Sequence, residues 1–188
     1  HDTQIEGAWN DSLGGYDYEP TFRYLKPYLE TTDVAVGNLE VTLAGPPFKG
    51  YPQFSSPDSL AIEAKKSGFD ILLTANNHAL DRGQIGFNRT LSILDSLEII
   101  HAGTYRDSIS HARFHPLIIE ENNIRIAILN YTYGTNGLTV NRPSIVNRID
   151  SLQIGRDIQK AELADPDFII VAIHWGIEYE RKENRKQQ

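Results

Sequence analysis

Residues 69–83 read FDILLTANNHALDRG, so an apolar segment runs directly into a polar one. The apolar part, 69–75, is short and is followed by turn-forming residues, which predicts a buried strand. A helix is predicted next, over 83–97. The same alternation of short apolar strand and amphipathic helix continues along the chain, and this pattern is typical of an α/β layered fold.

Outward from this segment, the sequence predicts further elements on both sides. Asn122-Asn123 lies between two apolar segments, 117–121 and 124–130, which predicts a hairpin. We therefore expect a mixed sheet, mostly parallel with one antiparallel ribbon, in a single domain over 1–188. The other predicted helices cover 21–29, 56–68 and 149–163, and the other predicted strands cover 33–36, 98–102 and 168–173. In the predicted helix 83–97, the side expected to be buried is formed by Ile85, Leu91, Leu94 and Leu97.

The composition argues against several function classes. The 188 residues fit one domain with a sizeable core. The 18 basic and 25 acidic residues give a net charge of −7, and a surface of that sign repels phosphate backbones, which argues against nucleic acid as a partner. The absence of Cys excludes disulfides, Fe–S clusters and thiolate zinc sites. No apolar run approaches the ~20 residues that cross a bilayer.

Polar residues of metal-ligand type follow three of the predicted strands. Asn38 and Glu40 come after the first strand, Asn77 and His78 after the second, and His174 after the last. In open α/β sheets, ligands bind beyond the carboxyl ends of parallel strands. Carboxylate, amide oxygen and imidazole together suit a Mn, Zn or Fe ion and leave room for water or substrate. The sequence therefore predicts a metal site where these strands end.

Each of these residues also has a purely structural interpretation. Asn76 and Asn77 would form a turn by bonding local backbone through their amides, and His78 would cap a helix. His174 would be a core histidine with satisfied hydrogen bonds, and Glu40 would lie on a solvated loop. The metal site is favoured because the structural interpretation has to hold independently at three strand ends.

Two weaker patterns lie elsewhere in the chain. His111 and His115 have the i, i+4 spacing of a helical metal pair, but Pro116 and the predicted strand after it favour a surface stretch. The loops 46–52 and 131–137 contain aromatic residues beside apolar elements, and ordered loops of this kind often shape a site. Packing of each loop on its own domain is the alternative.

The sequence also resembles a known family. The segments 38–40 (NLE), 75–83 (ANNHALDRG) and 174–179 (HWGIEY) resemble the CapA/PgsA-type bacterial capsule-synthesis proteins, which look like relatives of the calcineurin-like metallophosphoesterases. This resemblance spans nearly the whole chain. It implies a four-layer αββα sandwich with mixed sheets and a centre of two divalent metal ions (Mn, Zn or Fe) at the strand ends. It also implies a bacterial cell-envelope protein, held outside the membrane and linked to poly-γ-glutamate capsule production.

The resemblance assigns metal-binding roles to four residues. Glu40 resembles the carboxylate that bridges the two ions, and Asn38 is a second candidate ligand. Asn77 resembles the amide ligand, and His174 resembles an imidazole ligand. A metal pair lowers the pKa of a bound water and neutralises charge on phosphoryl oxygens, so the implied reaction is phosphoester hydrolysis.

The resemblance assigns His78 and Asp81 to catalysis. His78 resembles the histidine that faces the scissile phosphate without binding metal, and Asp81 would orient or polarise it. Asp81 lies three residues after His78, at the start of the predicted helix, where it could accept the second ring N–H and fix the tautomer. Arg82, Tyr131 and Tyr133 are the candidates for contact with substrate.

The family pattern extends past both ends of the chain. Its opening Gly-Asp is expected upstream of His1 and its closing Gly-His-x-x-His-type motif downstream of Gln188, so we expect a chain that is incomplete at both ends. For the intact protein we predict a metal-dependent phosphoesterase that acts on a phosphoester or an anionic polymer. The alternative is a non-catalytic accessory subunit that binds or exports anionic polymer with its membrane synthase.

Overall fold

The computed structural model describes residues 2–185 and 187. Within these residues, no helix is long and apolar enough to cross a membrane. The strands are β1 (Trp9–Asn10), β2 (Gly15–Tyr16), β3 (Val36–Asn38), β4 (Ile71–Leu73), β5 (Ile100–Ala102), β6 (Thr104–Tyr105), β7 (Leu117–Glu121), β8 (Ile124–Thr132), β9 (Ile145–Val146) and β10 (Phe168–His174). The helices are α1 (Asp2–Gly7), α2 (Glu19–Phe22), α3 (Lys26–Leu29), α4 (Ser59–Lys66), α5 (Gly83–Ser96), α6 (Ser108–Phe114) and α7 (Ser151–Glu162).

Two three-stranded sheets organise the fold. In the first, β4 lies between β3 and β5 and runs parallel to both, with Ile71 opposite Val36 and Ile100. In the second, β8 lies between β10, which is parallel to it, and β7, which is antiparallel. The predicted α/β class with parallel strands is confirmed, and the predicted antiparallel ribbon is the β7–β8 hairpin. Two further antiparallel pairs, β1–β2 and β6–β9, were not predicted. The strands form two three-stranded sheets where the strand pattern predicts one mixed sheet, because β8 pairs with β7 and β10 and not with β5.

The hairpin and the last helix are confirmed. Asn122 and Asn123 have φ values of 52° and 62°, a conformation that asparagine tolerates better than most residues. They connect β7 to β8 as the sequence predicts. The last helix begins after Asp150, whose side chain accepts a hydrogen bond from the Gln153 N–H at 2.9 Å, so an aspartate N-cap sets its start.

The prediction of one helix over 21–29 is wrong. Two four-residue helices, α2 and α3, occupy this region, and neither buries a residue. Pro27 lies in the first turn of α3. A proline has no N–H, and its ring clashes with the carbonyl four residues earlier, so a continuous helix cannot pass through this position.

The first strand lies later in the chain than predicted. The sequence places it at 33–36, whereas β3 begins at Val36. The Ala35 N–H donates to a carboxylate oxygen of Asp70 at 2.7 Å and is therefore bonded to a side chain, outside the strand ladder. Because of this shift, β3 ends at Asn38, one of the predicted site residues.

Helices α4 and α5 contribute apolar residues to the core around the first sheet. In α5, Phe87 is 2% exposed, whereas Ile85, which we expected on the buried side, is 83% exposed. Two residues advance a helix by about 200°, so these positions face opposite ways. Leu91 and Leu94 are buried as predicted. The core has two clusters, one of Leu39, Leu43, Ala61, Leu72, Leu94 and Ile99, and one of Ala75, Leu80, Phe87, Leu91 and Val146.

The segment that contains His111 and His115 is a helix, so its interpretation as a surface stretch is wrong. Helix α6 starts at an N-cap, Asp107, whose carboxylate accepts the Ser110 N–H at 2.7 Å. His115 is the C-cap and is 2% exposed. Pro116 follows the C-cap, outside the helix, where it interrupts none of the helical hydrogen bonds.

His115 belongs to a buried polar network that joins α6 to α7 and β8. Its ring stacks on that of His111 with the centroids 4.6 Å apart, and its Nε2 lies 3.0 Å from Oδ2 of Asp157. The Tyr131 hydroxyl donates to the same Oδ2 at 2.8 Å. His115 Nδ1 lies 3.2 Å from the Tyr105 hydroxyl. The contact between α6, α7 and β8 is therefore made here by paired polar side chains.

Burial sets the ionisation of this network. It lowers the pKa of His115 and of His111, and the neighbouring Lys160 acts in the same direction on both. Burial also acts to raise the pKa of Asp157, but hydrogen bonds from His115 and Tyr131 outweigh it, so that the pKa lies below its ordinary value. At neutral pH the network therefore contains an ionised Asp157 beside neutral imidazoles.

We expect the free energy of unfolding to decrease as the pH is lowered from about 7 to about 5. The pKa values of His111 and His115 are lower in the folded chain than in the unfolded chain. Below the ordinary histidine pKa of about 6.5, the unfolded chain therefore binds protons that the folded chain does not bind. The depressed pKa of Asp157 adds a further loss only at lower pH, as the pH falls through its folded-state value. Urea unfolding at a series of pH values measures this slope.

The variant His115→Gln tests the origin of the slope. It removes one titrating imidazole, so it should flatten the pH dependence between about 7 and 5. The matched control is His101→Gln, because His101 also lies beside a carboxylate, that of Asp95, but outside the network. A slope that is the same in His115→Gln as in the unchanged protein would show that the network does not set it.

Candidate functional site

The ends of three strands from the two sheets meet at one place. The two sheets are joined there by the buried side chain of Asn130 in β8. Its Oδ1 accepts the Ala75 N–H at 2.8 Å, and its Nδ2 donates to the Ala172 carbonyl at 3.3 Å. Gly103 permits this close approach, since a Cβ at that position would lie 2.2 Å from Asn130 Oδ1. The ends of β3, β4 and β10 are therefore held side by side.

The four predicted metal ligands lie in one cluster. His174 Nε2 lies 2.8 Å from Asn77 Oδ1 and 3.5 Å from Glu40 Oε1. Asn38 is next to them, and its Nδ2 donates to Glu40 Oε2 at 3.1 Å. The ring of Tyr133 stacks on the His174 imidazole with 12° between the planes, which limits rotation of the imidazole. The side chains of His174 and Glu40 are 25% and 44% exposed, so solvent reaches this cluster.

His78 and Asp81 form a buried pair beside this cluster. His78 Nδ1 lies 2.7 Å from Asp81 Oδ2, and the side chains are 9% and 1% exposed. The same Oδ2 accepts the Phe54 N–H at 2.7 Å, and the Phe54 ring contacts the imidazole edge-on at 4.6 Å. Burial raises the pKa of Asp81, although the hydrogen bonds from Phe54 and His78 act against this shift. The pair therefore holds the imidazole in a single orientation, with Nδ1 occupied.

Asn76, which the sequence analysis did not assign to the site, connects two of the strand ends. It is fully buried. Its Nδ2 donates to the Leu39 carbonyl at 2.8 Å and to Asn38 Oδ1 at 3.2 Å. Its Oδ1 accepts the His78 N–H at 3.1 Å, which is the local turn considered as a structural alternative. Asn76 could have been chosen from the sequence because it lies in the segment 75–83. The sequence does not show, however, that the Asn76 side chain reaches the end of β3.

Asn136 was also missed by the sequence analysis. Its Oδ1 accepts a hydrogen bond from Asn77 Nδ2 at 3.2 Å, and its Nδ2 lies 3.5 Å from His78 Nδ1. Because Asn77 Nδ2 is engaged with Asn136, Asn77 Oδ1 is turned towards His174. The available signal was the loop 131–137, which we singled out for its aromatic residues and which contains Asn136.

The three residues predicted to contact substrate differ in their position relative to the cluster. Tyr133 lies at the cluster and is 51% exposed. Arg82 is half-buried, and its Nη1 donates to the Pro47 carbonyl at 3.2 Å. Tyr131 lies away from the cluster, because it is 1% exposed and its hydroxyl is bonded to Asp157. In a continuous strand, Tyr131 and Tyr133 would lie on the same face. Because β8 ends at Thr132, Tyr133 is outside the strand and its side chain lies in a different place from that of Tyr131.

The side chains of the cluster are of types that bind divalent cations. Glu40 has a carboxylate, Asn77 an amide oxygen and His174 an imidazole nitrogen, and such donors suit Mn, Zn or Fe. Within residues 2–185 and 187, no group of three or more His, Cys, Asp or Glu side chains is placed to hold a metal ion. In this cluster only Glu40 and His174 are of those types.

A comparison with models of known protein families identifies the family of this chain. The family model described as bacterial capsule synthesis protein PGA_cap matches residues 1–188. The chain belongs to this family. The resemblance to CapA-type capsule-synthesis proteins is therefore confirmed.

Two curated relatives carry capsule-related names. Capsule biosynthesis protein CapA of Bacillus anthracis is 26% identical over 190 residues, which cover 93% of this chain and 44% of the relative. PGA biosynthesis protein CapA of Bacillus subtilis (strain 168) is 28% identical over 178 residues, which cover 89% of this chain and 45% of the relative. The chain therefore spans less than half the length of these two relatives. Uncharacterized protein y4sH of Sinorhizobium fredii is 34% identical over 122 residues, or 60% of this chain and 26% of that protein.

We expect Asn76→Ala to lower the free energy of unfolding by about 2–4 kcal/mol, because it leaves the Leu39 carbonyl and the His78 N–H without partners in a buried position. Urea unfolding at neutral pH measures this change. The matched control is Asn88→Ala on the exposed side of α5, for which we expect a change within about 0.5 kcal/mol. Equal effects of the two substitutions would contradict the role of Asn76 in joining the strand ends.

Proposed function

We propose that this chain carries the hydrolytic centre of a capsule biosynthesis protein, a metal-dependent phosphoesterase that acts in the bacterial cell envelope outside the membrane. The observation that supports this proposal is the contact of Glu40, Asn77 and His174 beside the buried pair of His78 and Asp81. Metal donors next to an oriented imidazole are suited to phosphoester hydrolysis. Two relatives are named for capsule or PGA biosynthesis, and we take the polymer to be poly-γ-glutamate.

The proposed metal centre contains two divalent ions, in a four-layer αββα arrangement. Glu40, Asn77 and His174 would hold one ion, and Glu40 and Asn38 are the candidate ligands of the second. The two oxygens of Glu40 contact different neighbours, since Oε1 lies 3.5 Å from His174 Nε2 and Oε2 accepts a hydrogen bond from Asn38 Nδ2. When bound, the ions acidify a water molecule and neutralise charge on phosphoryl oxygens.

His78 is proposed as the general acid–base group. Asp81 holds its Nδ1 at 2.7 Å, which leaves Nε2 as the ring nitrogen that exchanges a proton with the substrate. Because Phe54 contacts both the ring and the carboxylate, the pair keeps its orientation as the proton moves. His78 then donates a proton to the departing oxygen, and Arg82 and Tyr133 contact the substrate beside it.

Two substitutions separate the roles of the imidazoles. In the full-length protein, His78→Asn should lower phosphodiester turnover by about 10²–10⁴-fold, the usual contribution of general acid–base catalysis, and should leave the metal content unchanged. His174→Ala should lower metal content and turnover together, because it removes a ligand. Turnover of bis(p-nitrophenyl) phosphate and metal analysis by mass spectrometry measure the two quantities.

The matched control for both substitutions is His101→Asn. His101 also pairs with an aspartate, Asp95, at 3.1 Å, but it lies outside the site, so turnover and metal content should stay unchanged. Loss of metal in His78→Asn would contradict the separation of roles. A protein whose turnover is absent, or is unaffected by both site substitutions, would instead be the non-catalytic subunit that binds or exports anionic polymer with a membrane synthase.

Metal removal gives a further test. Dialysis against a chelator should abolish phosphodiester turnover, and Mn²⁺ or Zn²⁺ should restore it, because the water nucleophile needs the acidifying ion. Glu40→Gln should raise the metal concentration needed for half-maximal restoration by about tenfold or more, since it removes the carboxylate that we propose as a ligand among the described residues. The control is Glu120→Gln, at a surface carboxylate that pairs with Arg125. Full turnover in metal-free protein would overturn the proposed chemistry.

A further inference from the structure

A groove is lined in part by the loop that follows β8. Its volume is about 850 Å³, and it is lined by residues between 135 and 148 together with Ser108. Sites for small molecules have volumes of ~300–1,000 Å³, so the groove is large enough to hold a ligand. The hydrolytic chemistry proposed above uses none of its lining residues.

The groove and the candidate site share the loop that follows β8. Tyr133 and Asn136 of this loop contact the site, since Tyr133 stacks on His174 and Asn136 bonds to Asn77. Thr135, Gly137 and Leu138 of the same loop line the groove. The residues that contact the site therefore alternate along the chain with residues that line the groove.

The charge of the groove is positive. Arg142 and Arg148 line it, and no Asp or Glu is found among its described lining residues. Neither arginine forms an ion pair or a side-chain hydrogen bond with any residue that the structure describes. This contrasts with the net charge of −7 on the whole chain. Four of the other arginines, Arg23, Arg89, Arg106 and Arg125, are paired with carboxylates.

We propose that this groove binds the oxyanion groups, carboxylate or phosphate, along the part of the substrate that extends away from the hydrolytic site. A guanidinium presents a planar fork of N–H donors that matches either oxyanion. Arg148 lies against the shared loop, because its Nη2 is 3.5 Å from the position that a Cβ on Gly134 would take. The guanidinium of Arg148 therefore lies beside the loop that the groove and the site share. The inference rests on the proposed function, since it takes the ligand of the groove and the substrate of the site to be one molecule.

Binding is tested on the full-length protein after metal has been removed by dialysis. The probe is a fluorescein-labelled oligoglutamate, followed by fluorescence anisotropy. Unlabelled oligoglutamate and tripolyphosphate serve as competitors. If oligoglutamate displaces the probe at a lower concentration than tripolyphosphate does, carboxylate is the preferred oxyanion. If tripolyphosphate displaces the probe at the lower concentration, phosphate is preferred. Either result supports binding in the groove, provided that the arginine variants weaken it.

Four variants report on the two guanidinium groups. Arg142→Gln and Arg148→Gln should each weaken binding about three- to fivefold, and the double variant about tenfold or more, with smaller effects at high salt. Replacement of both by Lys should restore part of the affinity, because it keeps the charge without the fork. The matched control is Arg156→Gln on α7, an exposed arginine bonded to Gln153, which should change affinity less than twofold.

The results separate failure of the groove from failure of the proposed function. Unchanged affinity in the double Gln variant, with an unchanged thermal unfolding midpoint, overturns the groove even where His78→Asn and His174→Ala impair turnover. Weaker affinity in the double variant, in a protein without metal-dependent turnover, supports oxyanion binding and overturns the hydrolase. Where turnover is present, the double variant should raise KM about tenfold at constant kcat. A fall in kcat at constant KM contradicts the inference.

Discussion

The bonds of one buried amide, Asn130, position the rest of the site. Its oxygen accepts the Ala75 N–H from the end of the first sheet, and its nitrogen donates to the Ala172 carbonyl in the second. A buried amide has a low free energy only when its donors and acceptor are satisfied, so the two sheets are stable in the relative position that satisfies it. This position brings His174, at the end of β10, within hydrogen-bond distance of Asn77, after β4.

The residues around this junction are polar and buried, which is unusual for a core. Asn76, His78 and Asp81 are all below 8% exposure, and each has the partners described above. Burying such groups is costly unless they are paired, and a paired network holds its members in one geometry. The energetic requirement for pairing and the chemical requirement for a fixed imidazole are therefore met by the same hydrogen bonds. The second polar network, around His115 and Asp157, joins α6 to α7 by the same principle.

The charge distribution divides the surface near the site into two chemically different parts. Glu40 and His174 present a carboxylate and an imidazole to solvent in one place. Arg142 and Arg148, which form no ion pair within the described part of the chain, line the groove beside it. Under the function proposed above, groups of these two kinds suit a substrate that is itself a chain of negative charges, which is held in the groove while it reacts at the site.

How much the sequence predicts depends on the range of the interactions. The strand-to-turn change after Leu73, the asparagine turn at 122–123 and the face of α5 that contains Leu91 and Leu94 follow from local sequence, and the structure confirms them. The single helix over 21–29 was wrong because a proline outweighed the apolar spacing. The surface position given to His115 was also wrong, because its partner Asp157 is distant in sequence and no local pattern reveals it.

For the site, the residue types that follow each strand can be read from the sequence, since motifs such as 75–83 are contiguous and their chemistry depends on side-chain type alone. Which of these side chains meet depends on the folded chain. The tertiary structure placed Tyr133 against His174 and Tyr131 in the interior, and it brought in Asn136 from a loop far along the chain. The physical reason is that a side chain's direction depends on where its strand ends and on which partners satisfy its polar atoms. Both are properties of the assembled sheets.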